Sequence, residues 1–400
     1  MIPRPQYIEK IRPFIGQEPV KVLTGLRRAG KSVMLKLIQD EIAQGGVPRS
    51  NFIDLNFEDM GSPRTAGTLR SAVLERASEI TGKAYLFFDE IQEVEEWEKC
   101  INSLRVELDC DIYLTGSNAR VLSGELATYL AGRYLEFTVY PFSFEEFLSM
   151  PQQCGLDRDG AFRRYIRLGG MPFLSNIAEN EDACPQYLKD IYNSVILKDV
   201  VRRNNIRDVD QLERVMAYVL ANIGHPFSAS SLSRYFKSEH RAVSHETVLN
   251  YIKACSDAFL FYKLGCVDLR GKKLLTVNEK YYVADHGLRG AAYGQEQRDI
   301  DQILENIVCL ELLRRGYDVA VGRNATKEID FIASKGRDRF YVQVCYLLAD
   351  EGTVSREFGA YKGIPDNYPK YVLSLDEFDR SRDGIQHLNL RDFLLWQDGP

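Results

Sequence analysis

Hydrophobic positions fall into short blocks whose period switches between that of a strand and that of a helix. Val20-Lys21-Val22-Leu23-Thr24 is a compact apolar run, and apolar residues then recur at Met34, Leu35, Leu37, Ile38 and Ile42, the spacing of a helix from Lys31 to about Ala43. Residues 51–57 alternate like a strand, a helical stretch follows near 65–81, and Ala84–Phe88 is a buried strand ending in Asp89 and Glu90. A helix near 96–107 places Trp97, Ile101 and Leu104 on one face. Asp111–Thr115 is the next strand, followed by the polar tip Gly116-Ser117-Asn118, and Tyr134–Val139 is the last. Strands alternating with helices predict a parallel, three-layer α/β domain over residues 1–150.

The pattern then changes twice. Residues 151–207 read as a helical lid or linker with a turn at Gly169-Gly170-Met171-Pro172. Helices near 209–222, 229–237 and 244–257 precede two short strands, Phe259–Lys263 and Leu274–Val277, joined by the basic turn Arg270-Gly271-Lys272-Lys273. Three helices and a basic hairpin predict a winged helix over 208–292. Residues 293–400 run helix (299–315), strands (318–322, 328–333, 339–345), helix (354–361) and strand (370–374), a second and separate α/β domain.

A chain of 400 residues is expected to hold more than one core, and 45% hydrophobic with 27% charged residues is ordinary for a globular protein. Eight cysteines form no C-x-x-C pair and five scattered histidines complete no metal set, which predicts reduced thiols packed in cores. No apolar run reaches the roughly 18 residues of a membrane helix and no signal peptide opens the chain, so the expected location is cytoplasmic, without a membrane partner. Net charge is −6, but residues 201–292 hold 14 Lys and Arg against 9 Asp and Glu, a surplus of +5 that leaves −11 for the rest. Any contact with nucleic acid belongs in that block.

Gly25-Leu26-Arg27-Arg28-Ala29-Gly30-Lys31-Ser32 fits the phosphate-binding pattern G-x-x-x-x-G-K-[ST] in full and lies between a predicted strand and a predicted helix. The glycines let the backbone curl into an anion nest, and the helix start adds partial positive charge. Gly25, Arg28, Ala29, Gly30, Lys31, Ser32 and Val33 are thereby candidates to cradle ATP, with Lys31 on the β- and γ-phosphates and Ser32 on Mg²⁺. Arg27 and Arg28 suit a carboxylate partner or the sheet better than phosphate, Arg28 being the better phosphate candidate of the two. Phosphoryl hydrolysis further needs a metal anchor, a group that orients water and transition-state charge. Asp89 is the candidate anchor for Mg²⁺, Glu90 for water, Asn118 (or Ser117) for the γ-phosphate, and Arg133 for an arginine finger acting on its own site or a neighbour's.

These features resemble one family of bacterial and archaeal AAA-type ATP-binding proteins, which join an AAA ATPase core to a C-terminal restriction-endonuclease-like domain of unknown function. The matching residues are Gly25–Ser32, Phe88-Asp89-Glu90-Ile91-Gln92, Thr115-Gly116-Ser117-Asn118, Gly132-Arg133 and residues 141–147, with 169–172, Leu197-Lys198-Asp199-Val200 and residues 280–285 further on. The likeness spans nearly the whole chain. It implies a P-loop NTPase sheet of AAA type, a winged-helix middle, a nucleic-acid or mobile-element role without an agreed physiological substrate, and Arg4 and Tyr7 bordering an adenine pocket.

Nucleases of the PD-(D/E)XK type set an acid on a helix, an Asp on a strand, and (E/Q)-x-K on the next strand, the acids holding Mg²⁺ and the lysine activating water. Glu305, Asp330 and Gln343 take these places, but Cys345 stands where the lysine belongs. Lys327 or Lys362 could reach in; otherwise this is a vestigial nuclease site in a domain retained for structure or binding. Arg234, Lys237, Arg241, Lys253, Arg270, Lys272 and Lys273 could line double-stranded DNA, with 244–257 as recognition helix, although a winged helix can equally hold a protein. Three functions follow: an Mg²⁺-dependent ATPase coupled to the later domains, an ATP-regulated nuclease, or a nucleotide switch read by a protein partner or a second copy of the chain.

Overall fold

The computed structural model describes residues 1–119, 132–153, 155–177, 180–241, 243–269, 273–294, 299–324 and 327–396, and of 152 and 273–278 the backbone alone. The chain divides into two compact units, residues 1–141 with 257–259, and 142–256 with 260–400.

In the first unit, β1 (Val20–Thr24), β2 (Phe52–Asn56), β3 (Ala84–Asp89), β4 (Cys110–Thr115) and β5 (Tyr134–Thr138) form a parallel sheet in the order β2-β3-β4-β1-β5. The expected strands all form, and β1 and β3 are buried at every position, as parallel strands covered on both faces must be. The helices Lys31–Gln44, Ala66–Ala77 and Trp97–Glu107 make crossovers. Val22, Leu55, Leu86, Phe88, Ile101, Leu104 and Leu114 belong to one core.

The order of the strands positions the site. β4 lies between β1 and β3, with Leu23 opposite Thr115 and Leu114 opposite Phe88. The segments that leave the carboxyl ends of β1, β3 and β4 are therefore neighbours. The other end of the sheet is pinned by a buried charge pair. Lys21 Nζ lies 2.5 Å from Asp111 Oδ1, both side chains being fully buried. Asp111 Oδ2 accepts hydrogen bonds from Tyr113 Oη (2.8 Å) and the Gly16 amide (2.6 Å), and Lys21 also donates to the Gln17 carbonyl. Burial pushes the Lys21 ammonium down, against the pull of Asp111.

The second unit begins with helices, including Val209–Ala221, Ala229–Ser238 and His245–Asp257 at the three expected places. Its sheet holds β6 (Phe261–Asp268), β7 (Lys273–Val283), β8 (Asp318–Asn324), β9 (Lys327–Lys335), β10 (Asp338–Val344), β11 (Lys370–Ser374) and β12 (Gln386–Asn389), in the order β12-β11-β10-β9-β8-β6-β7. The expected hairpin is present but longer than its sequence pattern, and it is not confined to the three helices. β6 pairs in parallel with β8 through Cys266–Val321, Val267–Gly322 and Asp268–Arg323, so the hairpin is the edge of the C-terminal sheet. A boundary at 292 cuts that sheet. The reason is physical: pairing across some 50 residues leaves no periodic trace in either strand. The tip 270–272 lies outside the described residues.

The Gly169-Gly170 turn owes its composition to close approach. A Cβ on Gly170 would lie 2.2 Å from the Phe142 carbonyl oxygen, and one on Gly169 (φ +75°) 2.3 Å from Asp285 Oδ1. Asp285 is buried, accepts from the Gly170 amide at 2.6 Å and caps the helix His286–Tyr293 through the Leu288 amide at 3.0 Å. Burial pushes its carboxyl above the usual range.

Removing one member of the Lys21–Asp111 pair strands a buried charge, which costs about 3–5 kcal/mol. Asp111→Ala is expected to lower the denaturant midpoint of the first unit accordingly, read from a probe confined to its sheet. An unchanged midpoint would mean that Lys21 finds water in the variant.

Candidate functional site

The phosphate loop starts where β1 ends. Gly25 has φ +135°, and a Cβ there would lie 2.2 Å from the Val139 carbonyl oxygen, so glycine is required both by its dihedral and by the end of β5. Arg28 is left-handed at φ 65° with its side chain exposed, and Gly30 at φ 98° is the N-cap of Lys31–Gln44. No side chain caps that helix start, which leaves its first amides to a ligand. Ser32 and Val33 are exposed on its first turn. Lys31 is folded back into the loop: only 4% exposed, it donates to the carbonyls of Gly25 (3.1 Å) and Leu26 (3.2 Å) and lies 3.8 Å from Glu90 Oε1.

Asp89 and Glu90 sit at the end of β3, buried, and Thr115 at the end of β4 joins them. Its hydroxyl donates to Asp89 Oδ1 at 2.5 Å and accepts from the Glu90 amide at 2.8 Å. One side chain thus fixes one acid and the backbone of the other. Glu90 adopts left-handed dihedrals, φ 54° and ψ 50°, rare for a residue with a side chain and strained by about 1–3 kcal/mol. Its carboxylate is held by Gln92 Nε2 and faces Lys31. Burial pushes the Asp89 carboxyl up, opposed by hydrogen bonds from Ser32 and Thr115. Burial also works against the Glu90 carboxylate, but Lys31 and Gln92 outweigh it and hold the group below its usual range.

Ser32 and Asp89 therefore converge as hard oxygen donors, the kind Mg²⁺ takes. Among the described residues no group of three or more His, Cys, Asp and Glu converges on a metal position. Ser117 and Asn118 are buried just beyond β4, beside the same edge.

Other assignments change. Arg4 donates to the Ala29 carbonyl (3.2 Å) and the Tyr140 carbonyl (2.8 Å), lies over the Tyr7 ring, and Tyr7 Oη accepts from the Tyr140 amide. Arg4 thereby ties the phosphate loop at Ala29 to Tyr140, whose amide Tyr7 holds. Arg27 pairs with Glu58 at 3.2 Å. Arg133 is not at the site: exposed, it precedes β5, and its carbonyl accepts from Val20 at the start of β1. The length of a five-residue strand, about 15 Å, separates it from the loop of its own chain. A parallel strand entered from that end cannot present its first residue at the other. Thr115 carried no assignment, since a threonine closing a buried strand reads as strand propensity.

Near the C-terminal sheet Glu305, Asp330 and Gln343 come together. Gln343 Oε1 accepts from the Asp330 amide at 2.8 Å, and Asp330 Oδ2 accepts from the Val344 amide at 2.8 Å. Cys345 is a member of the neighbouring apolar core, and burial pushes its thiol up. Lys327 Nζ donates to the Gly359 carbonyl, and Lys362 is exposed. The lysine that enters is Lys280, on β7, 3.1 Å from Glu305 Oε1. In the middle block Arg234, Lys237, Arg241 and Lys253 are exposed on or beside the helices Ala229–Ser238 and His245–Asp257. Arg270, Lys272 and the Lys273 side chain lie outside the described residues.

The sheet order, the phosphate loop and the acid pair define a nucleotide-binding P-loop fold of the AAA type. Residues 17–148 match the family described as an AAA domain, and residues 159–299 match a domain of unknown function (DUF8612). The chain belongs to the same family as an uncharacterized protein of Haemophilus influenzae, 38% identical over 400 residues and 99% of both chains. Protein MJ1544 of Methanocaldococcus jannaschii is 31% identical over 362 residues, 87% of this chain and 79% of that one. Among solved structures, one likeness is to the Aeropyrum pernix ORC1 protein in complex with DNA, at 14% identity and TM-score 0.34 over 73% of this chain and 92% of that one. The Thermotoga maritima RuvB Holliday junction branch migration motor is similar at 14% identity and TM-score 0.36, over 65% and 89%.

Gly25→Ala is expected to lower affinity for a fluorescent ATP analogue about 10- to 100-fold, the equivalent of about 1–3 kcal/mol of backbone strain. Unchanged affinity would show that β5 can yield to the added methyl group.

Proposed function

We propose that the chain is an Mg²⁺-dependent ATPase. The observation that carries this reading is the Thr115 bridge, which holds Asp89 and Glu90 side by side at the mouth of the phosphate loop. Ser32 and Asp89 would hold the Mg²⁺ ion, which offsets charge on the phosphates when bound. Glu90 orients the attacking water, kept ionised by Lys31 and Gln92. Lys31 exchanges its two loop carbonyls for the β- and γ-phosphates, and Asn118 faces the γ-phosphate. Arg133 serves as a finger only from a neighbouring copy, so the reading includes a homo-oligomer.

The finer part of the proposal is that nucleotide state is transmitted to the second unit, where residues 208–292 meet duplex DNA through phosphate contacts. The support is the exposed row Arg234, Lys237, Arg241 and Lys253, with Asn250 exposed on the helix His245–Asp257. A second reading, a slow nucleotide switch, is favoured by the contact of Glu90 with Lys31 and Gln92, which turns the acid toward the loop.

Two substitutions test the chemistry. Glu90→Gln is expected to retain ATP binding and lose hydrolysis by about 100-fold or more, as for removal of a positioned base. Thr115→Val, which severs both hydrogen bonds while preserving shape, is expected to slow hydrolysis about 10- to 100-fold with little change in affinity. Normal turnover in either variant contradicts the role assigned here. Hydrolysis measured with and without duplex DNA separates the coupled readings: stimulation that fades with salt supports DNA, and indifference to DNA moves the function to a protein partner.

A further inference from the structure

The acid cluster of the C-terminal sheet is the strongest group of buried charges outside the phosphate loop. By resemblance to PD-(D/E)XK nucleases it would hold a divalent cation, so the fit of each donor decides. Glu305 Oε1 accepts from Lys280 Nζ at 3.1 Å and from Tyr282 Oη at 2.6 Å. Glu328 Oε1 lies 2.6 Å from the same ammonium. Asp330 Oδ2 is taken by the Val344 amide, and Gln343 Oε1 by the Asp330 amide. Glu357 receives Gln343 Nε2 at 2.9 Å and Arg356 Nε at 2.7 Å. Gly224, at φ +72°, packs its α-carbon against the Glu305 carboxylate, where an added Cβ would stand 3.2 Å from both oxygens.

Each of these side chains already has an internal partner on at least one oxygen. The cation at the centre is the chain's own. We propose that the Lys280 ammonium occupies the place a divalent metal takes in the nucleases this domain resembles, making the cluster a closed, metal-independent charge centre. Lys280 is only 1% exposed. Two carboxylates, Glu305 and Glu328, lie within ion-pair distance of its ammonium. The cation absent at position 345 is thereby supplied from β7.

The test uses the full chain without nucleotide, so it is independent of the ATPase reading. Mn²⁺ is titrated into wild type and into Asp330→Asn, with free Mn²⁺ followed by electron paramagnetic resonance. Equal binding is expected, and one additional ion held by wild type overturns the proposal. Lys280→Ala, which leaves Glu305, Glu328 and Asp330 without their counter-ion, is expected to gain a Mn²⁺-dependent rise in melting temperature. That rise should be about 2–5 °C at tenfold the dissociation constant, and lost again when Asp330→Asn is added. A folded Lys280→Ala chain that ignores Mn²⁺ contradicts the proposal. If that variant does not fold, the comparison of wild type with Asp330→Asn decides alone.

Discussion

Three charged groups, Lys31, Asp89 and Glu90, are held out of water within one loop's reach, and the architecture of the first unit follows from making that tolerable. An isolated buried charge costs several kcal/mol, so each needs a partner supplied by a different strand. Placing β4 between β1 and β3 supplies it. Thr115 then reaches Asp89 and the Glu90 amide, while Lys31 meets Glu90 and the loop carbonyls. The left-handed backbone at Glu90 persists because hydrogen bonds fix the residue from both sides. At the opposite end of the same strands, Lys21 and Asp111 solve the same problem by pairing with one another. With both ends fixed, the phosphate loop has a rigid frame around a helix start that no side chain caps.

The second unit meets buried charge differently. Its acids come from the helix Ile300–Arg314, from β9 and from the helix Glu351–Gly359, and its cation comes from β7, an element far away in the chain. The hairpin that brings Lys280 in is the same one that extends the sheet beyond β8, so sheet pairing and charge neutralisation depend on one another. The Gly169-Gly170 turn and Asp285 make a comparable junction, in which small residues admit a carboxylate to otherwise unmet amides.

What the sequence disclosed and what it withheld divide along contact range. The strand–loop–helix around Gly25–Ser32 and the acid pair after Ala84–Phe88 were legible, because each is a local pattern of period and spacing. The three helices at 209–257 were legible for the same reason. The merging of the hairpin with the C-terminal sheet was not, since Cys266–Val321 pairing has no local signature. Thr115 was hidden by its propensity, Arg4 by its distance from the carbonyl of Ala29, and Lys280 by lying outside the motif whose lysine it replaces. For Arg133 the own-site alternative falls away, because its distance in sequence from the loop says nothing about which end of a parallel strand it occupies.

Central to this account is that buried Lys31 leaves its carbonyl partners for phosphate. The most direct measurement is Mg²⁺-dependent ATP hydrolysis by wild type beside Lys31→Ala, with ATP affinity determined on the same samples. The account predicts hydrolysis in wild type that stops when Mg²⁺ is chelated, and a Lys31→Ala chain that remains folded but binds ATP weakly and does not turn it over. Equal affinity and turnover in the two proteins would contradict it.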